Sequence, residues 1–200
     1  IAGDSAVAHA TVFANVVEKL SNKSVSQNLA KERAVALELE RMAMHIADTG
    51  ALSMDIGYQL GQVACEALRT LTINTTQAWC GNRFGKGMIR PFGTNKPLTE
   101  AKRKMILDNV AEISRRYAEV RNDIKSSPTI LARFEECGIV PKSEMQRIGG
   151  VGMAARASGL KRDIRISHPF GGFTLEDIKH QSVVKQHGDV MSRLMVRANE

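Results

Sequence analysis

The spacing of apolar residues along the first two-thirds of the chain follows the period of an α-helix. In one stretch, Val35, Leu39, Met42 and Ile46 recur every three to four positions, so they share one helix face. Similar runs, separated by polar or glycine- and proline-containing stretches, predict further helices. The predicted helices cover residues 6–20, about 26–50 with Ser26 as a candidate cap, 53–79, 99–125, and a short stretch from Pro128 to before Gly138.

The pattern changes after residue 142, where glycines become frequent. IGGVGMAARASG and HPFGGF predict an irregular or β-hairpin-like segment over about 144–173, and helical spacing returns over 175–200. The predicted fold class is therefore mainly α, with a core of long helices and one small irregular or β-hairpin segment. We expect residues 1–200 to be a piece of a longer polypeptide within one domain, made of a helical core (1–142), a glycine-rich segment (143–173) and a C-terminal helix (175–200).

Composition narrows the classes of function. The net charge of +7 suggests an anionic partner, but acidic residues interleave with the basic clusters at 102–104 and 115–116, and no aromatic residues are placed to stack on bases. A solvated helix face accounts for this charge better than a nucleic-acid site. Cys65, Cys80 and Cys137 form no CxxC pair, which argues against a disulfide framework or a zinc site. No run approaches the eighteen apolar residues of a membrane span.

A row of titratable side chains shares one face of the second predicted helix. Glu38, Arg41, His45, Asp48 and Asp55 follow each other at steps of 3, 4, 3 and 7 residues, which keep to one stripe of a helix. In a dry environment such a row could pass protons along. On a solvated surface the same spacing gives ordinary i,i+4 ion pairs. The pattern alone leaves both interpretations open.

Two glycine-rich stretches invite a functional interpretation. GNRFGKGMIRPFG (81–93) places Arg83 and Arg90 on a glycine-hinged loop, where each guanidinium could bind a carboxylate or brace the loop through surface ion pairs. Gly149, Gly150 and Gly152 lack the GxGxxG spacing and a preceding strand, so they do not predict a nucleotide site.

Four blocks of the sequence together resemble one family, the large subunit of membrane-bound [NiFe]-hydrogenases and the homologous quinone-site subunit of respiratory complex I. The blocks stand in the family's order and span nearly the whole chain. They are ELERMAMHIADTGALSMDIG (38–57), GNRFGKGMIRPFG (81–93), GVGMAARASGLKRDIRISHPF (150–170) and GDVMSRLMVRANE (188–200).

The opening residues depart from the hydrogenase pattern. IAGDSAVAH is similar to the segment in which Cys-Gly-x-Cys, whose thiolates bind nickel and iron, precedes a histidine. Here Ala2 and Ser5 stand at the two cysteine positions, Gly3 is retained, and His9 occupies the histidine position. Alanine cannot ligate a metal, and serine replaces a bridging thiolate poorly. The resemblance therefore implies a relative without a NiFe centre.

The resemblance also implies which residues carry the chemistry. Asp55 matches the acidic residue implicated in quinone binding and proton coupling, and His45 and Glu38 match residues of the same helical region. The remaining matches line the active cavity; they are His9, Arg83, Arg90, Arg156, Asp163 and Arg165. The implied function is a subunit of a membrane-associated, energy-converting oxidoreductase of the NADH:quinone dehydrogenase or hydrogenase-like type, with electron transfer coupled to protonation.

The same resemblance also implies the cofactors, the partner subunits and the location. We expect no cofactor bound by this chain alone, a quinone as a candidate acceptor, and an iron–sulfur cluster in a neighbouring small subunit. Membrane subunits would complete the complex, on the cytoplasmic side of the inner membrane, and the isolated piece could self-associate through exposed apolar patches. A non-catalytic scaffold subunit derived from a hydrogenase is the alternative. A working [NiFe]-hydrogenase is a distant third.

Overall fold

The structure, a computed structural model, describes residues 3–174 and 180–200 and is mainly helical, so the predicted fold class is confirmed. Three helices of more than twenty residues dominate it, and the two strands are short. The helices are α1 (Ala6–Leu20), α2 (Gln27–Asp55), α3 (Gln59–Cys80), α4 (Glu100–Ser126), α5 (Pro128–Phe134), α6 (Lys142–Arg147), α7 (Gly152–Ala157), α8 (Ile164–Ser167) and α9 (Val190–Asn199); the strands are β1 (Ile89–Arg90) and β2 (Gly93–Thr94).

Helix boundaries follow local chemistry in the first two-thirds of the chain. The Ser26 hydroxyl accepts a hydrogen bond from the Leu29 N–H, as expected of a residue that caps α2. Helix α2 continues through Gly50 to Asp55, and the left-handed Gly57 lies in the turn before α3. The Thr99 hydroxyl likewise accepts a hydrogen bond from the Lys102 N–H at the start of α4.

Two predicted placements were wrong. The antiparallel hairpin pairs Ile89 with Thr94 and Arg90 with Gly93, so it lies in the loop after α3 and not within 144–173. Residues 142–167 instead carry the three short helices α6, α7 and α8, because turns at Gly149 and Gly159 separate brief helical runs. The C-terminal helix begins only at Val190, where the Asp189 carboxylate accepts a hydrogen bond from the Ser192 N–H; residues 175–179 of the predicted helix lie outside the described part.

The chain divides into two compact units. The first takes in residues 3–44, 67–115 and 171–174 of the described part, and its core includes Val7, Leu39, Trp79, Met88 and Ile106. The Trp79 indole N–H donates a hydrogen bond to the Lys96 carbonyl, which fixes the loop after the hairpin.

The second unit takes in His45–Glu66, Arg116–Phe170 and residues 180–200. Met145, Ala155 and Leu160 form one of its small cores. The prediction of a single domain remains a prediction.

Among the helices of the described residues, none is long and apolar enough to cross a bilayer.

Candidate functional site

The second unit contains a group of buried and partly buried ionisable side chains, which we call the Arg156 cluster. Its centre is the Glu200 carboxylate, whose side chain is fully buried. One oxygen of this carboxylate lies 2.5 Å from Nη2 of Arg156 and 3.3 Å from Nη2 of Arg165. The members of the Arg156 cluster are Arg156, Asp163, Arg165, Glu200, His45 and His180.

Asp163 forms the second centre of the cluster and joins two segments. It precedes α8, and its carboxylate accepts hydrogen bonds from the backbone N–H of Arg165 and from the Arg165 guanidinium at 2.7 and 2.9 Å. His180 Nε2 lies 2.8 Å from Oδ2 of Asp163, the same oxygen that accepts from Nη2 of Arg165. Burial alone would raise the pKa of Asp163, but the hydrogen bonds from Arg165 and His180 and the Arg165 charge hold that pKa well below its usual range.

His45 reaches the cluster from the middle of α2. Its Nε2 atom is buried and lies 3.4 Å from Oε2 of Glu200, within ion-pair reach but without hydrogen-bond geometry. When the imidazoles of His45 and His180 are both neutral, the two guanidinium charges of Arg156 and Arg165 balance the two carboxylate charges of Asp163 and Glu200. A proton added to His45 would therefore face the Glu200 carboxylate in a largely dry environment. The arrangement can hold a proton and can also brace the fold.

The first unit places a different carboxylate at the start of α1. Glu40 of α2 accepts hydrogen bonds from the backbone N–H groups of Val7 and Ala8 at 2.7 and 3.0 Å. These donors belong to the first turn of α1, where negative charge is favourable. Burial nevertheless raises the pKa of Glu40, and the two hydrogen bonds only partly oppose this effect.

A small cavity lies beside Glu40, with Gly3, Val7, Arg83 and Phe84 among its lining residues. Its volume of about 10 Å³ corresponds to about one water molecule. A quinone ring is far larger, so this cavity does not fit one.

The residues at the hydrogenase ligand positions do not fit a NiFe centre. Ala2 lies outside the described residues. Ser5 precedes α1, and its carbonyl oxygen lies 2.7 Å from Nδ1 of the exposed His9. Over residues 3–174 and 180–200, no three His, Cys, Asp or Glu side chains are grouped as metal ligands would be. The soft thiolates that nickel and iron require are absent from both sequence positions.

The titratable stripe of α2 is not one connected row. Glu38 pairs with Arg41 within the helix, and Asp48 accepts a hydrogen bond from Arg197 at 2.7 Å. Asp55 lies exposed at the end of α2 and makes no hydrogen bond or ion pair with the described residues. Of the three predicted catalytic residues, the structure places only His45 in the Arg156 cluster.

The loop arginines belong to the first unit and make their own contacts there. Arg83 is exposed, and its guanidinium lies 4.5 Å from the centre of the Phe84 ring. The Arg90 side chain is exposed as well, while its carbonyl oxygen accepts a hydrogen bond from the buried Arg33. Arg33 in turn pairs with Glu18 at 2.7 Å, so this buried pair anchors the hairpin backbone.

Sequence reasoning missed three residues with a part in these arrangements: Glu40, His180 and Glu200. Glu40 lies one helical turn before Met44 and beside the apolar stripe of α2. This position at the edge of the buried face is a sequence signal that could have identified Glu40. Nothing in the local pattern around His180 or Glu200 indicates their partners, which lie in other segments of the chain.

Comparison with solved structures identifies the class of fold. The chain matches a chain of the membrane-bound sulfane sulfur reductase, an archaeal respiratory membrane complex, with a TM-score of 0.83 at 20% identity, over 92% of this chain and 49% of that chain. The chain thus shares the fold of the matched half of that chain.

The family itself is identified from the sequence. The model of the respiratory-chain NADH dehydrogenase 49 kDa subunit matches residues 55–200, and the chain belongs to this family. The predicted resemblance is therefore confirmed.

Curated relatives come from both branches of the resemblance. The membrane-bound hydrogenase subunit alpha of Pyrococcus furiosus is 28% identical over 206 residues, covering 99% of this chain and 48% of that protein. NADH-quinone oxidoreductase subunit 4 of Thermus thermophilus is 26% identical over 193 residues, covering 96% and 47%. Formate hydrogenlyase subunit 5 of Escherichia coli is 27% identical over 200 residues, covering 100% and 35%. The chain thus spans about half the length, or less, of these relatives.

Proposed function

We propose that this chain is part of an oxidoreductase subunit in a membrane-associated energy-converting complex, where electron transfer is coupled to protonation. The Arg156 cluster is the observation that carries this proposal. It collects His45, Arg156, Asp163 and Arg165, all named by the family resemblance, around the buried carboxylate of Glu200. A mostly buried set of carboxylate, guanidinium and imidazole groups is suited to holding a proton at a defined place.

The proposal includes no NiFe centre and no step at one. Alanine and serine at positions 2 and 5 remove the thiolates, and Glu40 already satisfies the first backbone N–H groups of α1. The start of α1 therefore has its own carboxylate in place of a metal-bound anion.

Electrons would arrive from an iron–sulfur cluster in a small partner subunit, and membrane subunits would move the ion. A quinone is the acceptor that the name of the Thermus thermophilus relative suggests, and its two-electron reduction takes up two protons. We place the subunit peripherally, on the cytoplasmic side of the inner membrane. From the family resemblance, we further propose a role in proton coupling for the exposed Asp55 and for Glu38, and a role in binding for His9, Arg83 and Arg90.

The experiment measures electron transfer and ion movement together. The complex carrying His45→Gln is reconstituted into vesicles, and both rates are compared with the wild type and with His168→Gln, an exposed histidine outside the Arg156 cluster. We expect His45→Gln to lower ion movement per electron at least several-fold and His168→Gln to change nothing. Equal coupling in all three proteins would reject the proposal.

A scaffold subunit without redox chemistry is the second candidate. It is favoured by the ion pairs that Arg156, Asp163 and Arg165 form within the cluster, since ion pairs of this kind can brace a fold, and by the absence of partners around Asp55 among the described residues. Asp55→Asn discriminates the two candidates, since an exposed carboxylate of a scaffold can lose its charge with no effect on turnover. In the coupled enzyme, the same change lowers turnover while the complex stays assembled.

A further inference from the structure

Two neighbouring contacts join the end of α9 to α2 within the second unit. Nε of Arg197 donates a hydrogen bond to Oδ2 of Asp48 at 2.7 Å. Beside it, Nε2 of His45 lies 3.4 Å from Oε2 of Glu200. Asp48 follows His45 by three residues on α2, and Arg197 precedes Glu200 by three residues. Because residues three apart are neighbours on a helix, both contacts join the same turn of α2 to the same turn of α9.

The two oxygens of the Glu200 carboxylate have different partners. Oε1 lies 2.5 Å from Nη2 of Arg156 and 3.3 Å from Nη2 of Arg165, and Oε2 faces His45. The two arginines belong to α7 and α8 and hold Glu200 by its other oxygen. They do not by themselves fix its distance from α2, so a further contact is needed to do so.

The pair of Asp48 and Arg197 is placed to supply that contact. The Arg197 side chain is 15% exposed and that of Asp48 is 50% exposed, so the pair contributes little to overall stability. It nevertheless lies one turn from Glu200, whose backbone N–H still donates to the Val196 carbonyl of α9. A contact at this point fixes where the Glu200 carboxylate begins.

The charged and titratable groups around His45 come from five elements. They are Arg41 and Asp48 of α2, Tyr117 of α4, Arg156 of α7, Arg165 of α8, and Arg197 and Glu200 at the end of α9. Tyr117 is linked to the His45 carbonyl through the Thr49 hydroxyl, and burial raises the pKa of Tyr117 to about 12, so it is neutral at pH 7. The Glu200 carboxylate is within ion-pair reach of the imidazole, so its position decides how well a proton on His45 is held.

We propose that Asp48 and Arg197 are positioning residues, whose ion pair holds the last turn of α9 against α2 and keeps Glu200 within reach of a proton on His45. This inference rests on the proposed function only in that the proton is the one coupled to electron transfer. Because the pair has no net charge, its main effect on His45 is through the position of Glu200.

The test follows the protonation of single histidines within the intact complex. The hydrogen on C2 of an imidazole exchanges with deuterium at a rate that depends on protonation, and mass spectrometry of peptides assigns each rate to one histidine. The rate is measured against pH in the wild type and in the double variant Asp48→Ala, Arg197→Met, whose net charge is unchanged. The control is Glu144→Ala, Arg147→Met, which removes an exposed pair of the same unit.

We expect the double variant to lower the midpoint pH of His45 by about half a unit or more, which is about a threefold loss of protonated over neutral imidazole. The reason is that the Glu200 carboxylate recedes. The control should leave this midpoint unchanged. His180, which lies 2.8 Å from Asp163, should keep its own midpoint in both variants. An unchanged or higher midpoint at His45, or an equal fall at His180, would overturn the proposal.

Single variants separate position from direct effects of charge. Asp48→Ala removes a negative charge and Arg197→Met a positive one, so charge effects alone would move the midpoint of His45 in opposite directions. Positioning predicts a fall in both, since either change breaks the pair. A rise in Arg197→Met would therefore count against positioning. Asp48→Glu keeps the carboxylate and should keep the midpoint near that of the wild type.

This measurement does not depend on turnover, so the inference and the proposed function can fail separately. If the midpoint falls as expected while His45→Gln leaves ion movement per electron intact, positioning holds and the proposed coupling fails. If the midpoint stays unchanged while His45→Gln lowers ion movement per electron, the coupling holds and positioning by Asp48 and Arg197 is wrong.

Discussion

Arg156 and Glu200 form a buried salt bridge: Nη2 and Oε1 lie 2.5 Å apart, and 7% and 0% of the two side chains are exposed. The pair joins α7 to the end of the chain just after α9. Removing two such charges from water is costly, and the cost is recovered only when each charge keeps its partners. The Glu200 carboxylate does so through Arg156, Arg165 and the nearby His45.

The first prediction concerns the stability supplied by this pair. Arg156→Met should lower the free energy of unfolding by about 3 kcal/mol, because it leaves the Glu200 charge buried with fewer partners. Arg147→Met is the control, since Arg147 and Glu144 pair at 2.8 Å on an exposed face. That change should cost less than about 1 kcal/mol. Urea unfolding measures both, and equal losses would contradict the buried-charge explanation.

The second prediction is an acid-dependent loss of stability at Asp163. The pKa of Asp163 is lower in the folded protein than the ordinary value of 3.8, so its ionisation stabilises the fold above that value. The stabilisation is lost as pH falls from about 5 towards the folded pKa. The difference in Tm between wild type and Asp163→Asn should therefore shrink between about pH 5 and pH 2. A constant difference would show that Asp163 acts without its charge.

Glu40 should give the opposite pH dependence. Burial raises the pKa of Glu40 above 4.5, so the folded state prefers its protonated form. As pH rises through 4.5, the wild type should lose stability relative to Glu40→Gln, which stays neutral and keeps one acceptor for the α1 backbone. Thermal unfolding of both proteins across this pH range checks the sign. If the wild type instead gained stability relative to Glu40→Gln as pH rises, the prediction would be wrong.

Two glycines with nearly the same φ value should differ in how much stability is lost when each is replaced by alanine. Gly149 and Gly188 have φ values of +69° and +70°, but only Gly188 is crowded. A side chain there would collide with the Val140 carbonyl and lie 2.8 Å from the Ser158 hydroxyl. Gly149→Ala should cost about 1–2 kcal/mol for its left-handed conformation. Gly188→Ala should cost clearly more in urea unfolding, and equal costs would mean that the segment around Gly188 moves freely.

The sequence predicted helices correctly where the period of the apolar residues and the capping residues indicated the same boundaries. The apolar stripe of Val35, Leu39, Met42 and Ile46 and the cap at Ser26 predicted α2, although Gly50 made its length uncertain. In the structure α2 continues through Gly50 to Asp55, and a side chain at Gly50 would lie 3.0 Å from the Cβ of Cys65. The hairpin was misplaced, because two-residue strands are too short to show an alternating pattern. The turns at Gly149 and Gly159 interrupt short helices, which the glycine content alone could not reveal.

The candidate site was predictable only in its chemistry. The family resemblance named His45, Arg156, Asp163 and Arg165, and the structure brings them together through Glu200, a partner that no local pattern indicates. Helical spacing put Glu38 and Asp55 on the same stripe as His45. It could not tell that Glu38 pairs with Arg41 or that Asp55 lies exposed, since those outcomes depend on neighbouring segments.

The nickel content of the purified, redox-active complex tests the central claim most directly. The subunit is assayed by elemental analysis in a preparation whose electron-transfer rate has been measured. We expect electron transfer with nickel far below one atom per chain, because residues 2 and 5 offer no thiolate. One nickel atom per chain, lost together with activity on chelation, would contradict it and identify a working hydrogenase.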